Sequence, residues 1–213
     1  MNIKNISFYD RLGVERFEDY VEKAGMDTCP DLDIIYPEIA EAAKIVELGA
    51  GTGRVIRCLR KRGFQGKIEA IERVPSFLNH LVNMYQSECT LLKEDILNYK
   101  AKPQSAVFLW LWSGIMEYSP DEQKQAFLNI SGSMASHAYL FVDLPYQKVQ
   151  AIGVHKSKQY LELREDFGVL QAYLPTYQEM ITYAKNSKLD FCTRREYETT
   201  KGYKRLLYQF QKV

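Results

Sequence analysis

One segment constrains this 213-residue chain more than any other: Val46-Glu47-Leu48-Gly49-Ala50-Gly51-Thr52-Gly53-Arg54. A short apolar run, Ile45 to Leu48, ends in three glycines at alternate positions, and Val55 to Lys61 then reads as a helix. Glycine lets the backbone turn sharply and lets a ligand approach the main chain closely. The helix that follows aims its free N–H groups back at the turn. Spacing excludes two common phosphate loops. The dinucleotide pattern G-x-G-x-x-G would need a third glycine where Arg54 stands, and the Walker loop needs a Gly-Lys-Ser/Thr ending that is absent. What remains is E-x-G-x-G-x-G, from Glu47 to Gly53.

The rest of the chain alternates strand and helix signals. Ile68 to Glu72 reads as a second strand, and Pro75 opens a helix with Phe77, Leu78, Leu81, Val82 and Tyr85 on its apolar face. Thr90-Leu91-Leu92 is a third strand. Ala106 to Leu111 is a fourth, apolar at every position, as suits a strand covered on both faces. Ser119-Pro120-Asp121-Glu122 and Thr176-Tyr177-Gln178-Glu179 are capping boxes that start two further helices. Ala138 to Val142 is a fifth strand, and two β-rich runs around Thr200-Lys201-Gly202 form a hairpin. The order predicts an α/β fold: a doubly wound seven-stranded mixed sheet, helices on both faces, and a C-terminal antiparallel hairpin. Residues 1–44 are expected to form a helical cap. Its first helix carries Phe17, Tyr20, Val21 and Ala24 and stops at Gly25, and a second runs from Pro37 to Ala43. Residues 45–213 are expected to form the Rossmann-like domain. Within it, about 146–174 lack a clean period and read as an irregular insert or lid.

With the strand ends placed, VELGAGTGR resembles motif I of class I S-adenosylmethionine-dependent methyltransferases. The likeness covers roughly residues 45–145, and 175–213 by pattern. It implies S-adenosylmethionine as cofactor, with Glu47, Gly49, Ala50, Gly51 and Gly53 at the turn. Glu72, followed by Arg73, ends the second strand where the family places an acid on the ribose hydroxyls; a carboxylate can accept both hydrogen bonds. Asp95, with Glu94 as the alternative register, and Ile96 fall where the family meets adenine. Trp112 leaves the fourth strand beside the methionine part. The implied chemistry is in-line attack on the methyl of a sulfonium. It requires orientation and exclusion of water more than a fixed catalytic residue, and no catalytic residue or metal ligand is assigned.

Composition narrows the acceptor. With 28 basic and 27 acidic residues the net charge is +1, so no global field draws nucleic acid or an anionic membrane. No run approaches the ~18 apolar residues of a membrane span, and no apolar signal centre opens the chain. Cys29, Cys58, Cys89 and Cys192 are scattered and read as free thiols of a reducing, cytoplasmic protein. A small-molecule acceptor is expected, enclosed by aromatic residues of the cap and insert such as Phe8, Tyr9, Phe17 and Tyr20. The alternatives are a protein, phospholipid or RNA acceptor, or a non-catalytic cofactor-binding module. Asp143-Leu144-Pro145-Tyr146 resembles the acid-Pro-Pro-aromatic motif of amino-methyltransferases, but it follows the fifth strand rather than the fourth and reads as a proline turn. Arg54, Arg57, Arg60, Lys61 and Arg62 read as a solvated helix face rather than a phosphate site. Glu117 and Tyr118, just past the fourth strand, stand where substrate contacts commonly arise in the family.

Overall fold

The computed structural model describes residues 2–146, 154–155, 157 and 159–213. Helix α1 spans Asn2–Lys23 and α2 spans Pro30–Ile39. Then β1 (Lys44–Leu48), α3 (Arg54–Lys61), β2 (Lys67–Glu72), α4 (Pro75–Tyr85), β3 (Thr90–Lys93) and β4 (Val107–Trp110) follow in turn. A 3-10 turn at Gly114–Glu117 leads to α5 (Pro120–Gly132) and β5 (Tyr139–Pro145). After β6 (Val154–His155), β7 (Tyr160–Glu165) and β8 (Gly168–Tyr173), the chain closes with α6 (Tyr177–Asn186), β9 (Leu189–Glu198) and β10 (Lys204–Lys212).

Seven strands form one sheet in the order β3-β2-β1-β4-β5-β10-β9. All its pairings are parallel except those of β10, which is antiparallel to both β5 and β9. This is the mixed doubly wound sheet that the sequence pattern predicts. β4 explains the continuous apolar run. Phe108 and Trp110 enter the core under α5 and α6, while Val107 and Leu109 enter the one under α2, α3 and α4. β1 divides likewise, with Val46 and Leu48 on one face and Ile45 on the other. Strand order reverses between β1 and β4, and the crevice at such a point, beyond the strands' carboxyl ends, is where open α/β sheets take ligands. Both capping boxes form: Ser119 and Thr176 each accept from the N3 amide, and Glu122 and Glu179 reach back to the cap amides.

Three expectations need correction. The second cap helix begins at Pro30, not Pro37: Cys29 turns through the left-handed region (φ 59°) and Pro30 takes the first turn. Pro37 lies inside the helix, where its missing N–H removes one bond. The insert is not irregular. Among its described residues, β6, β7 and β8 form a separate antiparallel three-stranded sheet. β7 and β8 are mostly half-exposed on both faces, so they carry no strict alternation for a sequence reading to find. Residues 147–153, 156 and 158 of that expected insert lie outside the described residues. Finally, the four cysteines are not all free. Cys29 and Cys58 form a buried disulfide joining the start of α2 to α3, while Cys89 and Cys192 are unpaired. A separation of 29 residues hid the pairing, because only the fold brings the two α carbons to 6.5 Å. No helix among the described residues is long and apolar enough to cross a membrane.

The cap and the insert are clasped together. Asn5 is fully buried; its side-chain amide donates to Gln171 O (2.8 Å) and Glu117 O (3.1 Å) and accepts from Gln171 N (3.0 Å). It thus acts as one residue of a strand beside β8. Arg11 adds a bond to Phe167 O (2.9 Å), and Tyr20 one to Glu165 (3.2 Å). Asn5→Ala leaves the Gln171 amide without its partner, at a cost of about 1–3 kcal/mol. The expected result is a lower urea midpoint together with faster exchange of the Gln171 amide hydrogen. Unchanged exchange there would dissociate Asn5 from the clasp.

Candidate active site

The carboxyl ends of β1, β2 and β4 open onto a cavity of about 230 Å³. Its floor is the glycine turn. Gly49 and Ala50 both donate to Ile71 O at 2.9 Å, which ties the turn to β2. Gly51 sits at φ 57°, and a Cβ there would come within 3.3 Å of the Phe17 ring. Gly53, at φ 87°, packs on α4 so closely that a Cβ would stand 2.5 Å from Tyr85. Only glycine meets both the backbone angle and the approach at these positions.

Glu72 faces the turn from the end of β2. One carboxylate oxygen accepts from Gly51 N (2.7 Å), and the other from the amides of Arg73 and Val74 (2.7 Å each). Burial raises its pKa to about 7, against the lowering effect of those three amides. Glu47 at the end of β1 is also buried, and its Oε2 has no hydrogen-bond partner. Burial pushes its carboxyl well above the ordinary range, despite nearby Arg54.

Beyond β3, Glu94 and Ile96 line the cavity. Asp95 is held a layer behind: it accepts from Arg73 (2.9 Å), the Leu97 amide (2.9 Å) and Tyr118 (3.3 Å). Arg73 also reaches Glu117 (2.7 Å) and stacks over Tyr118, with its guanidinium carbon 4.6 Å from the ring centroid. Burial works against that cation, but Glu117, Tyr118 and Asp95 hold its pKa above the usual arginine value. Trp112 closes one wall. It and Ser113 leave β4 at φ 47° and 65°, and the indole meets Phe17 edge-on at 5.1 Å.

The roof comes from α1 and the small sheet. Phe17 packs 4.7 Å from Phe77, and Tyr9 lies 5.9 Å from Phe17 and 6.0 Å from Phe77. Leu163 of β7 and Leu170 of β8 complete it. Burial, followed by the nearby Glu117 carboxylate, raises the Tyr9 phenol pKa well above its ordinary value.

Eight of the ten residues that the resemblance assigns to the cofactor line this cavity: Glu47, Gly49, Ala50, Gly51, Glu72, Arg73, Ile96 and Trp112. Gly53 and Asp95 do not; one backs onto α4 and the other props Arg73. Phe77, Leu163 and Leu170 carried no functional signal, since an apolar residue of a helix or strand reads simply as core. Two other expectations resolve in the structure. Arg54 is buried against Asp31 rather than on a solvated face, and Arg60 and Arg62 bind backbone carbonyls and Asp33, so most of the basic cluster is engaged internally. Asp143 is fully buried against Arg205 and Tyr197, which makes it part of the sheet's packing.

No protein-family model and no curated protein sequence matches the chain. Solved structures do. A methyltransferase dependent on S-adenosylmethionine, from Methanosarcina mazei, superposes at TM-score 0.67 over 84% of this chain and 97% of its own, with 16% identity. The fold is that of the class I S-adenosylmethionine-dependent methyltransferases. An amino pentose methyltransferase from Micromonospora echinaspora, bound to S-adenosylmethionine, matches at TM-score 0.63 and 14% identity, covering 86% of this chain and 89% of its own. The 1,6-didemethyltoxoflavin-N1-methyltransferase of Burkholderia thailandensis, with its substrate and S-adenosylhomocysteine bound, matches at 0.65 and 11%, covering 91% and 81%. Methyltransferases of this fold thus include proteins named for sugar and heterocycle substrates.

Proposed function

We propose that this protein is an S-adenosylmethionine-dependent methyltransferase that acts on a small molecule held beneath the cap. The observation that carries the reading is Glu72, a buried carboxylate fixed opposite a three-glycine turn at the switch point of the sheet. The cavity fits the cofactor in its donor set. Glu72 oxygens retain acceptor capacity beyond their three amide bonds, which suits ribose hydroxyls. The unpartnered Oε2 of Glu47 suits an ammonium group. Of the other lining residues, Glu94 and Ile96 would hold the adenine ring and Trp112 the methionine part. When bound, the cofactor supplies a methyl group on a positively charged sulfur.

The protein's part is to orient and to exclude water. Aromatic faces of the roof stabilise positive charge by cation–π attraction, and the clasp between Asn5 and Gln171 keeps the roof in place. A small acceptor is supported by the enclosure of the cavity under α1, β7 and β8. It is supported further by the internal engagement of the arginines that a nucleic acid or lipid headgroup would need.

Isothermal titration should show saturable S-adenosylmethionine binding, abolished by Gly51→Arg, whose side chain would fill the turn under Phe17. Absence of binding to the native chain would end this reading. A pH dependence follows from Glu72. Its pKa is raised by folding from 4.5 to about 7. Stability from the bound proton is full below the lower value and lost as pH rises through the upper one. Cofactor binding has the opposite sign, because ribose hydroxyls donate to the ionised form. Affinity should rise about tenfold between pH 6 and 8 and then level off, and Glu72→Gln should flatten the profile.

A further inference from the structure

The acceptor side of the cavity carries a specific chemistry, and this inference rests on the methyltransferase reading above. Leaving aside the groups placed on the cofactor, the wall there is aromatic and aliphatic: Tyr9, Phe17, Phe77, Leu163 and Leu170. One carboxylate breaks it, Glu117. Among the described residues lining the cavity, the two cations are both neutralised. Arg54 is held bidentate by Asp31 (2.9 and 2.7 Å), and Arg73 lies between Asp95 (2.9 Å) and Glu117 (2.7 Å). An anionic acceptor entering this space would lose its water and meet no free positive charge, which is costly for a buried ion.

Glu117 is built to be met. Arg73 fixes its position at 2.7 Å. A carboxylate offers about four acceptor sites, so others remain beyond that bond. Its surroundings favour a group that carries N–H donors and tolerates positive charge against aromatic faces.

We infer that the methyl acceptor is a small amine whose nitrogen is placed by Glu117 beneath the aromatic roof. The nitrogen lone pair forms the new N–C bond, the C–S bond of the sulfonium breaks with its electron pair left on sulfur, and the product leaves as an alkylammonium. The step starts from the neutral amine, its ammonium proton having passed to solvent before attack, so the balance needs no catalytic base within the site. Glu117 acts by orienting the N–H groups and by stabilising the charge that develops on nitrogen, which is where fixed electrostatics count most.

The test uses the full chain saturated with S-adenosylhomocysteine and three probes of one shape: benzylamine, benzyl alcohol and benzoate. Calorimetry should find benzylamine bound about tenfold or more tighter than benzyl alcohol, as for one charge-assisted hydrogen bond, with no saturable benzoate binding. Glu117→Gln should erase the amine's advantage, while its S-adenosylhomocysteine binding reports whether that variant is folded. Benzoate binding as well as benzylamine, no saturable benzylamine binding, or an amine preference that survives in folded Glu117→Gln would each overturn the proposal. The discrimination among probes is read on the native chain, so a misfolded variant does not remove the test. Failure to bind S-adenosylhomocysteine at all would instead defeat the methyltransferase reading itself.

Discussion

Arg205→Met is expected to destabilise the fold by about 3–5 kcal/mol, the cost of leaving a buried charge without its partner. Asp143 has no exposed surface. Its carboxylate takes Arg205 Nε at 3.0 and 3.2 Å, Arg205 Nη2 at 2.6 Å, and the Tyr197 hydroxyl at 2.8 Å. Removing the guanidinium strands that carboxylate between β5 and β10, with the Tyr197 hydroxyl as its remaining hydrogen-bond donor among the described residues. The double variant Asp143→Leu with Arg205→Met should recover most of the loss, because well-packed apolar side chains often replace a buried ion pair at little cost. Urea midpoints of the native chain, the single variant and the double variant decide the matter. Equal midpoints for the native chain and Arg205→Met would mean that the pair contributes nothing. Arg205 also donates to Ser113 (2.6 Å), next to Trp112. The single variant should therefore loosen the cavity wall as well as the sheet.

The second large effect belongs to Glu72→Ala. The proposed ribose hydrogen bond to the one acceptor site that Glu72 keeps beside its three amide bonds, worth about 1.5–3 kcal/mol for an ionised acceptor, would vanish. The expected loss of S-adenosylmethionine affinity is about 10- to 100-fold. The same change leaves the amides of Gly51, Arg73 and Val74 without their acceptor, so the turn itself should relax and the urea midpoint fall. Calorimetry on Glu72→Ala, at a urea-free pH of 8 where the native carboxyl is ionised, separates the two losses. Retention of native affinity would displace the ribose from the end of β2.

The sheet was legible because its signals are local. β4 is apolar at every position, and only a strand buried on both faces needs that. Two capping boxes fix the starts of α5 and α6 within a residue. Motif I is local too, and so is the acid that ends β2. What stayed hidden depends on residues far apart. Asn5 pairs with Gln171 across 166 positions, and neither side chain advertises the contact. Cys29 and Cys58 meet only because α2 docks on α3. Arg73 binds Asp95 while Glu94 lines the cavity, a division between neighbouring acids that no local signal carries. Leu163 and Leu170 acquire a role only when the small sheet folds over the switch point.

The bond from Gly51 N to Glu72 has a thermodynamic consequence. It holds the turn to the end of β2 through a bond made within the chain itself. Ordering a residue costs about 1–2 kcal/mol of backbone entropy, and for Gly49 to Gly53 that cost falls in the folding reaction rather than in the binding one. A titrated ligand should then meet a rigid receptor: association without a slow ordering phase, and an enthalpy that reports contacts rather than the freezing of a loop.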